Sequence, residues 1–89
     1  MSNPEGWDKF LSSLLLSRPW EVNSTTSGIL KIINQEDIAR VVYALFRSGS
    51  VKFLNEPNRE LNNKSPVELL RSEDGAEEVR QFLMCNPWL

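Results

Sequence analysis

No histidine occurs among the 89 residues, and cysteine occurs once, at Cys85. Without histidine the chain lacks the commonest general base and the commonest metal ligand. Cys85 has no imidazole to activate it as a nucleophile, and zinc sites of the cysteine–histidine kind are excluded by the same count. A lone thiol cannot close an internal disulfide, so nothing assigns the chain to an oxidising compartment. The four glycines, Gly6, Gly28, Gly49 and Gly75, stand apart from one another, which leaves no glycine-rich phosphate loop. No apolar run approaches the ~20 residues that a membrane span requires. The N-terminus has no charged region, apolar run and cleavage site of a signal peptide. The expectation is a cytoplasmic protein that is not an enzyme, carries no cofactor or metal and avoids membranes.

A marked excess of either charge is also absent. Ten Lys and Arg face twelve Asp and Glu, for a net charge of −2, and the basic residues are scattered along the chain. Nucleic-acid binders gather such residues into a patch that neutralises phosphates, so DNA is disfavoured as a partner of this chain alone. The acidic pairs Glu73-Asp74 and Glu77-Glu78 suit the positive end of a helix dipole. A glycosidase-like carboxylate pair would need a cleft that so short a chain can hardly build.

What is present is ordinary for a folded domain. An apolar fraction of 40% and a charged fraction of 25% lie close to globular usage, and a disordered chain would be poorer in Leu, Ile, Val and Phe. The length suits one domain, residues 1–89. Trp7, Phe10, Leu11, Leu14 and Leu15 recur at helical spacing, with Asn3 as a cap, Pro4 at the first helical position and Pro19 as the stop. The polar, β-branched stretch from Trp20 to Thr26 reads as a connector, with a minor strand as the alternative. Ile29 to Ile33 form a short helix. Asn34 then offers an N-cap to the best-marked helix, whose stripe is Ile38, Val41, Val42, Leu45 and Phe46, with Gly49 placed to end it. Val51 to Leu54 make a short helical segment. Ser65-Pro66-Val67-Glu68 is a capping box with proline at the first helical position. Ser72 caps a last helix bearing Val79, Phe82 and Leu83, which Asn86-Pro87 ends. The fold class is all-α, one compact domain of about five short helices.

One segment admits a second interpretation. Asn34 to Val42 has the flavour of the second helix of a helix-turn-helix, with Ala39 at the close-packed position. Its exposed face would offer Gln35, Glu36, Asp37 and Arg40, too acidic a set for phosphates.

Phe53-Leu54-Asn55-Glu56-Pro57-Asn58, then Leu61, then Ser65-Pro66-Val67-Glu68-Leu69-Leu70, then Gly75, Val79 and Leu83 follow an order that resembles the toxin-binding domain of the Xre/MbcA/ParS antitoxins. That pattern runs approximately W-L-x-x-P-N, a leucine, S-P-x-E-L-L, a glycine and a valine–leucine helix. The resemblance is clearest over the second half of the chain and extends through residues 34–84. Phe53 stands in place of the usual tryptophan, Cys85-Asn86-Pro87 in place of a glycine after the last helix, and residues 1–48 lack a basic DNA-binding face. Physically these residues form a scaffold: Pro57-Asn58 makes a turn, Leu61 plugs the core, and Ser65 to Glu68 set the entry of a helix.

What the resemblance implies is an antitoxin-like inhibitor of RES-type toxins, which resemble ADP-ribosyltransferases and consume NAD. Such an inhibitor blocks the toxin's cleft sterically with its C-terminal end, here Met84 to Leu89. Trp88 and Leu89 lie beyond a helix-breaking proline and suit a partner's pocket, or else fold back on their own core. The expected partner-binding residues are Trp20, Met84, Cys85, Trp88 and Leu89, since tryptophans commonly anchor interfaces. The alternatives are a small phage-type inhibitor or adaptor of the same fold with another protein target, and a DNA-binding autoregulator. Self-association is left open by the apolar tail and the small core.

Overall fold

The helix with the clearest apolar stripe becomes the centre of the molecule. The computed structural model describes residues 5–85. Six α-helices follow in order: α1 (Trp7–Ser17), α2 (Ser24–Ile32), α3 (Glu36–Phe46), α4 (Ser50–Asn55), α5 (Pro66–Leu69) and α6 (Glu73–Cys85). Short 3-10 turns lie at Arg47–Gly49 and Arg59–Leu61. The all-α class is as expected, with α5 amounting to one turn. α3 packs against α1, α2, α4 and α6 and buries Ile38, Ala39, Val41, Val42, Tyr43 and Ala44. Trp7, Ile29, Leu54, Val79 and Leu83 join it in one buried cluster. A helix covered on so many sides needs apolar residues around most of its circumference, which the sequence supplies.

Several boundaries differ from the sequence expectation, each for a local reason. Trp20 to Thr26 is neither a plain connector nor a strand, because α2 already begins at Ser24. Asn23 caps it: its side chain accepts from the Thr26 N–H at 3.0 Å, and the Thr26 hydroxyl accepts from the Asn23 N–H at 2.9 Å. This reciprocal box uses threonine where the usual pattern has Glu or Gln, and so escapes a motif search. Asn34 does not cap α3. Gln35 occupies the cap position with no side-chain cap bond, and its amide instead donates to the Leu70 carbonyl at 3.0 Å. Gly49 does not end α3 either. The left-handed turn falls at Arg47, with φ of 50°, and the buried Ser50 hydroxyl donates toward the carbonyls of Arg47 at 2.6 Å and Val42 at 3.3 Å. Carbonyls orphaned at a helix end are thereby satisfied. Asn3 and Pro4 lie outside the described residues.

The remaining segment, residues 18–23, is strapped across α3 by side chains. Arg18 Nη1 donates to the Ala44 carbonyl at 3.1 Å. Asn23 Nδ2 donates to the Tyr43 hydroxyl at 2.9 Å, which donates in turn to Glu21 at 3.0 Å. Trp20 stands edge-on to Tyr43, with centroids 5.7 Å apart.

In the second half the scaffold residues do what their types suggest. Asn58 organises the loop: its side chain accepts from the Glu60 N–H at 2.9 Å and its N–H donates to the Lys64 carbonyl at 3.1 Å. Asn62 and Asn63 take left-handed φ of 60° and 63°, a region in which asparagine is among the best-tolerated side chains. Leu61 is driven inward and is buried. Ser65 caps α5 by accepting from the Glu68 N–H at 3.3 Å. Glu68 itself is exposed, so the serine half of the expected box forms. Ser72 caps α6 through the Gly75 N–H at 3.0 Å. At Gly75 a Cβ would overlap the Leu69 carbonyl oxygen and stand 2.7 Å from the carbonyl carbon. Only glycine lets α5 and α6 meet this closely.

Two stability outcomes follow from these contacts. Gly75→Ala pushes the first turn of α6 off α5 and lowers stability by about 3 kcal/mol or more, an overpacking cost against rigid backbone, read by urea denaturation. Asn23→Ala removes a cap and a tie to Tyr43, and costs about 1–2 kcal/mol in the same assay. Wild-type midpoints for both variants would contradict these contacts.

Candidate protein-binding surface

The position of α6 decides what the C-terminal end of the molecule presents, and a polar junction ties α6 to α1 and α3. Asp37, in the first turn of α3, accepts from Trp7 Nε1 at 2.9 Å and from Arg80 Nε at 3.0 Å, both on Oδ2. Its Oδ1 accepts from the Ile38 N–H at 2.9 Å and from Arg80 Nη2 at 3.4 Å. The Arg80 guanidinium also lies over the Trp7 ring, 5.8 Å from its centroid. A buried indole N–H requires an acceptor, and Asp37 supplies it while joining α1, α3 and α6. Burial pushes the Asp37 carboxyl up. The bonds and charge of Arg80, with the donors from Trp7 and Ile38, outweigh that and hold it below the usual carboxylate value. Asp37 was expected on an exposed face with Gln35, Glu36 and Arg40; only Glu36 and Arg40 are exposed there.

At the far end of α6 Met84 is half-buried against the core and Cys85 is exposed. Trp88 and Leu89 lie outside the described residues. Beside this end three half-buried rings form a ladder from three helices: Phe46 stacks on Phe53 at 4.1 Å, and Phe53 on Phe82 at 6.1 Å. Phe53 thus lies in an aromatic stack, where tryptophan would also fit chemically. Sequence reasoning placed Phe46 and Phe82 in the core stripes and missed that they meet at Phe53, because residues far apart in the chain carry no pairing signal.

Trp20 sits elsewhere. With Leu30, Glu36, Ala39 and Arg40 it lines a surface depression of about 130 Å³, and Arg40 lies over its ring at 5.9 Å. Neither Met84 nor Cys85 is among the residues that line this depression. Of the other motif residues, Leu54, Leu61, Ser65, Pro66, Leu70, Gly75, Val79 and Leu83 are buried, Phe53, Asn58 and Leu69 are half-buried, and Pro57 and Glu68 are exposed. They build the domain and leave little of themselves for a partner. The acidic residues Asp74, Glu77 and Glu78 line an open depression with Glu5 and Gln81, and no group able to hold a metal ion occurs among the described residues. No helix is long and apolar enough to cross a membrane among them.

Because the Asp37 carboxyl is held below its ordinary value near 3.9 in the folded state, its contribution is complete above about pH 5 and is lost as pH falls through the lowered value. Asp37→Asn keeps an acceptor for Trp7 but leaves Arg80 without its counter-charge. It lowers stability at neutral pH by about 1–3 kcal/mol and flattens the acid limb of a stability–pH curve. An acid limb of unchanged slope would dissociate the junction from acid unfolding.

Neither a curated protein nor a solved structure gives a match to the chain. From the middle of α3 to the last turn of α6, residues 42–84 match the family model of the antitoxin Xre/MbcA/ParS C-terminal toxin-binding domain.

Proposed function

We propose that this protein is an antitoxin that neutralises a RES-type, NAD-consuming toxin by occluding its active-site cleft. The observation that carries the proposal is the family match over residues 42–84, which spans the segment whose motif residues form the α4–α6 scaffold. Inhibition on this model is steric. A rigid helical domain docks beside the cleft, and the chain beyond α6 enters it. Met84 and Cys85 stand at the base of that contact, and Trp88 and Leu89 provide its apolar anchor. An indole inserted in a desolvated pocket typically dominates the energy of such an interface.

A protein partner is favoured over DNA by the placement of α3. The helix offered as a recognition helix buries Ile38, Ala39 and Val41 to Ala44 and exposes Glu36 and Arg40, whereas a recognition helix needs a free face to enter the major groove. A cytoplasmic location accords with the absence of a membrane-spanning helix among the described residues and with a toxin whose substrate is NAD.

The test is co-purification from the native host with full-length protein beside a version ending at Cys85, followed by calorimetry with the toxin recovered. Trp88→Ala combined with deletion of Leu89 is expected to weaken binding by about 2–4 kcal/mol. Undiminished binding would remove the tail from the mechanism. Recovery of an enzyme of another class would replace the antitoxin assignment with an inhibitor or adaptor of the same fold and a different target.

A further inference from the structure

The junction between α3 and α4 places backbone strain at an arginine while a glycine stands two residues away. Among the described residues, Arg47, Asn62 and Asn63 take a positive φ without being glycine. Asparagine tolerates that region. Arg47 has φ of 50° and ψ of −121°, outside the left-handed helical region and in backbone that glycine alone adopts readily. A residue with a Cβ stays there only where its surroundings hold it. Gly49 is the ordinary type of residue for a left-handed helix stop, yet its φ of −88° and ψ of 4° are open to any residue.

What holds Arg47 is on the page. The buried Ser50 hydroxyl donates toward the Arg47 carbonyl at 2.6 Å and the Val42 carbonyl at 3.3 Å. The Arg47 guanidinium lies over the Tyr43 ring, 5.0 Å from its centroid. α4 is seated by the buried Leu54 and by Val51, which stands 3.2 Å from where a Cβ at Gly28 would lie. We propose that this junction is a two-state hinge. In the observed state α3 stops at Phe46, and Ser50 locks Arg47 in strain. In the second state α3 runs on through Ser48, Arg47 relaxes into the helix, Gly49 takes the left-handed turn, and α4 leaves its seat. The second state gives up the Ser50 bonds and the burial of Leu54, so it is the minor one. α4 carries Phe53, the middle ring of the stack with Phe46 and Phe82, and the switch withdraws that ring from beside the end of α6. A partner that binds one state better shifts the balance by its difference in affinity. The inference uses none of residues 84–89 and does not depend on the antitoxin assignment.

Ser50→Ala removes the lock and raises the population of the second state. Saturation-transfer NMR on that variant of the full chain is expected to show exchange confined to residues 46–55, with helical minor-state carbon shifts at Arg47 and Ser48. Adding Gly49→Ala puts a side chain where the second state needs left-handed backbone, and adding Arg47→Gly relieves the observed state. Either change cuts the minor population by about tenfold. A second reading needs no weakened lock. Gly49→Ala alone meets no atom within 4 Å of its Cβ, and it slows hydrogen exchange of the α4 amides while those of α6 keep their rates. Circular dichroism checks that each variant keeps its helices, and if Ser50→Ala does not fold, the hydrogen-exchange comparison decides. Three results would overturn the hinge: no exchange in folded Ser50→Ala protein, minor-state shifts of an unfolded segment, or α4 amides indifferent to Gly49→Ala.

Discussion

The buried indole of Trp7 has one N–H to satisfy, and much of the architecture is arranged around that need. Asp37 meets it from the first turn of α3, Arg80 neutralises Asp37 from α6, and the guanidinium lies over the indole face. Three helices far apart in the chain are bound at one carboxylate. Removing any member leaves a partly buried polar group short of a partner, which costs more than the contact itself contributes. Among the described residues no buried side-chain nitrogen or oxygen lacks a hydrogen bond, so the junction is the clearest case of a general rule in this domain. It also sets the direction of α6 and with it the place from which the C-terminal residues depart.

A second constraint works through backbone contact. The short α5 and the start of α6 approach until the Leu69 carbonyl fills the space that a Cβ at Gly75 would take. The serine caps on either side, Ser65 for α5 and Ser72 for α6, fix where each helix starts, and Gly75 allows the close crossing. Together with the Asn58 loop and the plug of Leu61, these residues turn a run of short helices, none stable alone, into a scaffold. The family match falls on this scaffold. Its signature residues are mostly inside, so the match speaks for the scaffold and leaves exposed positions outside the signature.

Much of the fold was legible in the residues. The stripe of α3, the stop at Pro19, the capped starts at Ser65 and Ser72 and the inward Leu61 all follow from local chemistry, and all are present. The misreadings share a cause. Asn23 carries no standard cap signature because its capping box closes with Thr26. Asn34 and Gly49 carried the ordinary signals for a cap and a stop, but the positions were taken by Gln35, which turns to Leu70, and by Arg47, whose adjoining carbonyls Ser50 satisfies. The local pattern sets Asp37 on an exposed helix face with Gln35, Glu36 and Arg40. Its partners lie 30 and 43 positions away, beyond any local pattern.

By itself the sequence determined the fold class and carried the family resemblance: helical periodicity, caps and turn residues act within a few positions, and the motif from Phe53 to Leu83 is a series of such local devices. Only the tertiary structure decided which side chains share a surface. That Phe46, Phe53 and Phe82 stack together, and that Trp20 shares a depression with Leu30, Glu36 and Arg40, depends on how helices cross. Crossing is settled by packing volume and by the partners of buried polar groups, which the order of residues along the chain does not display.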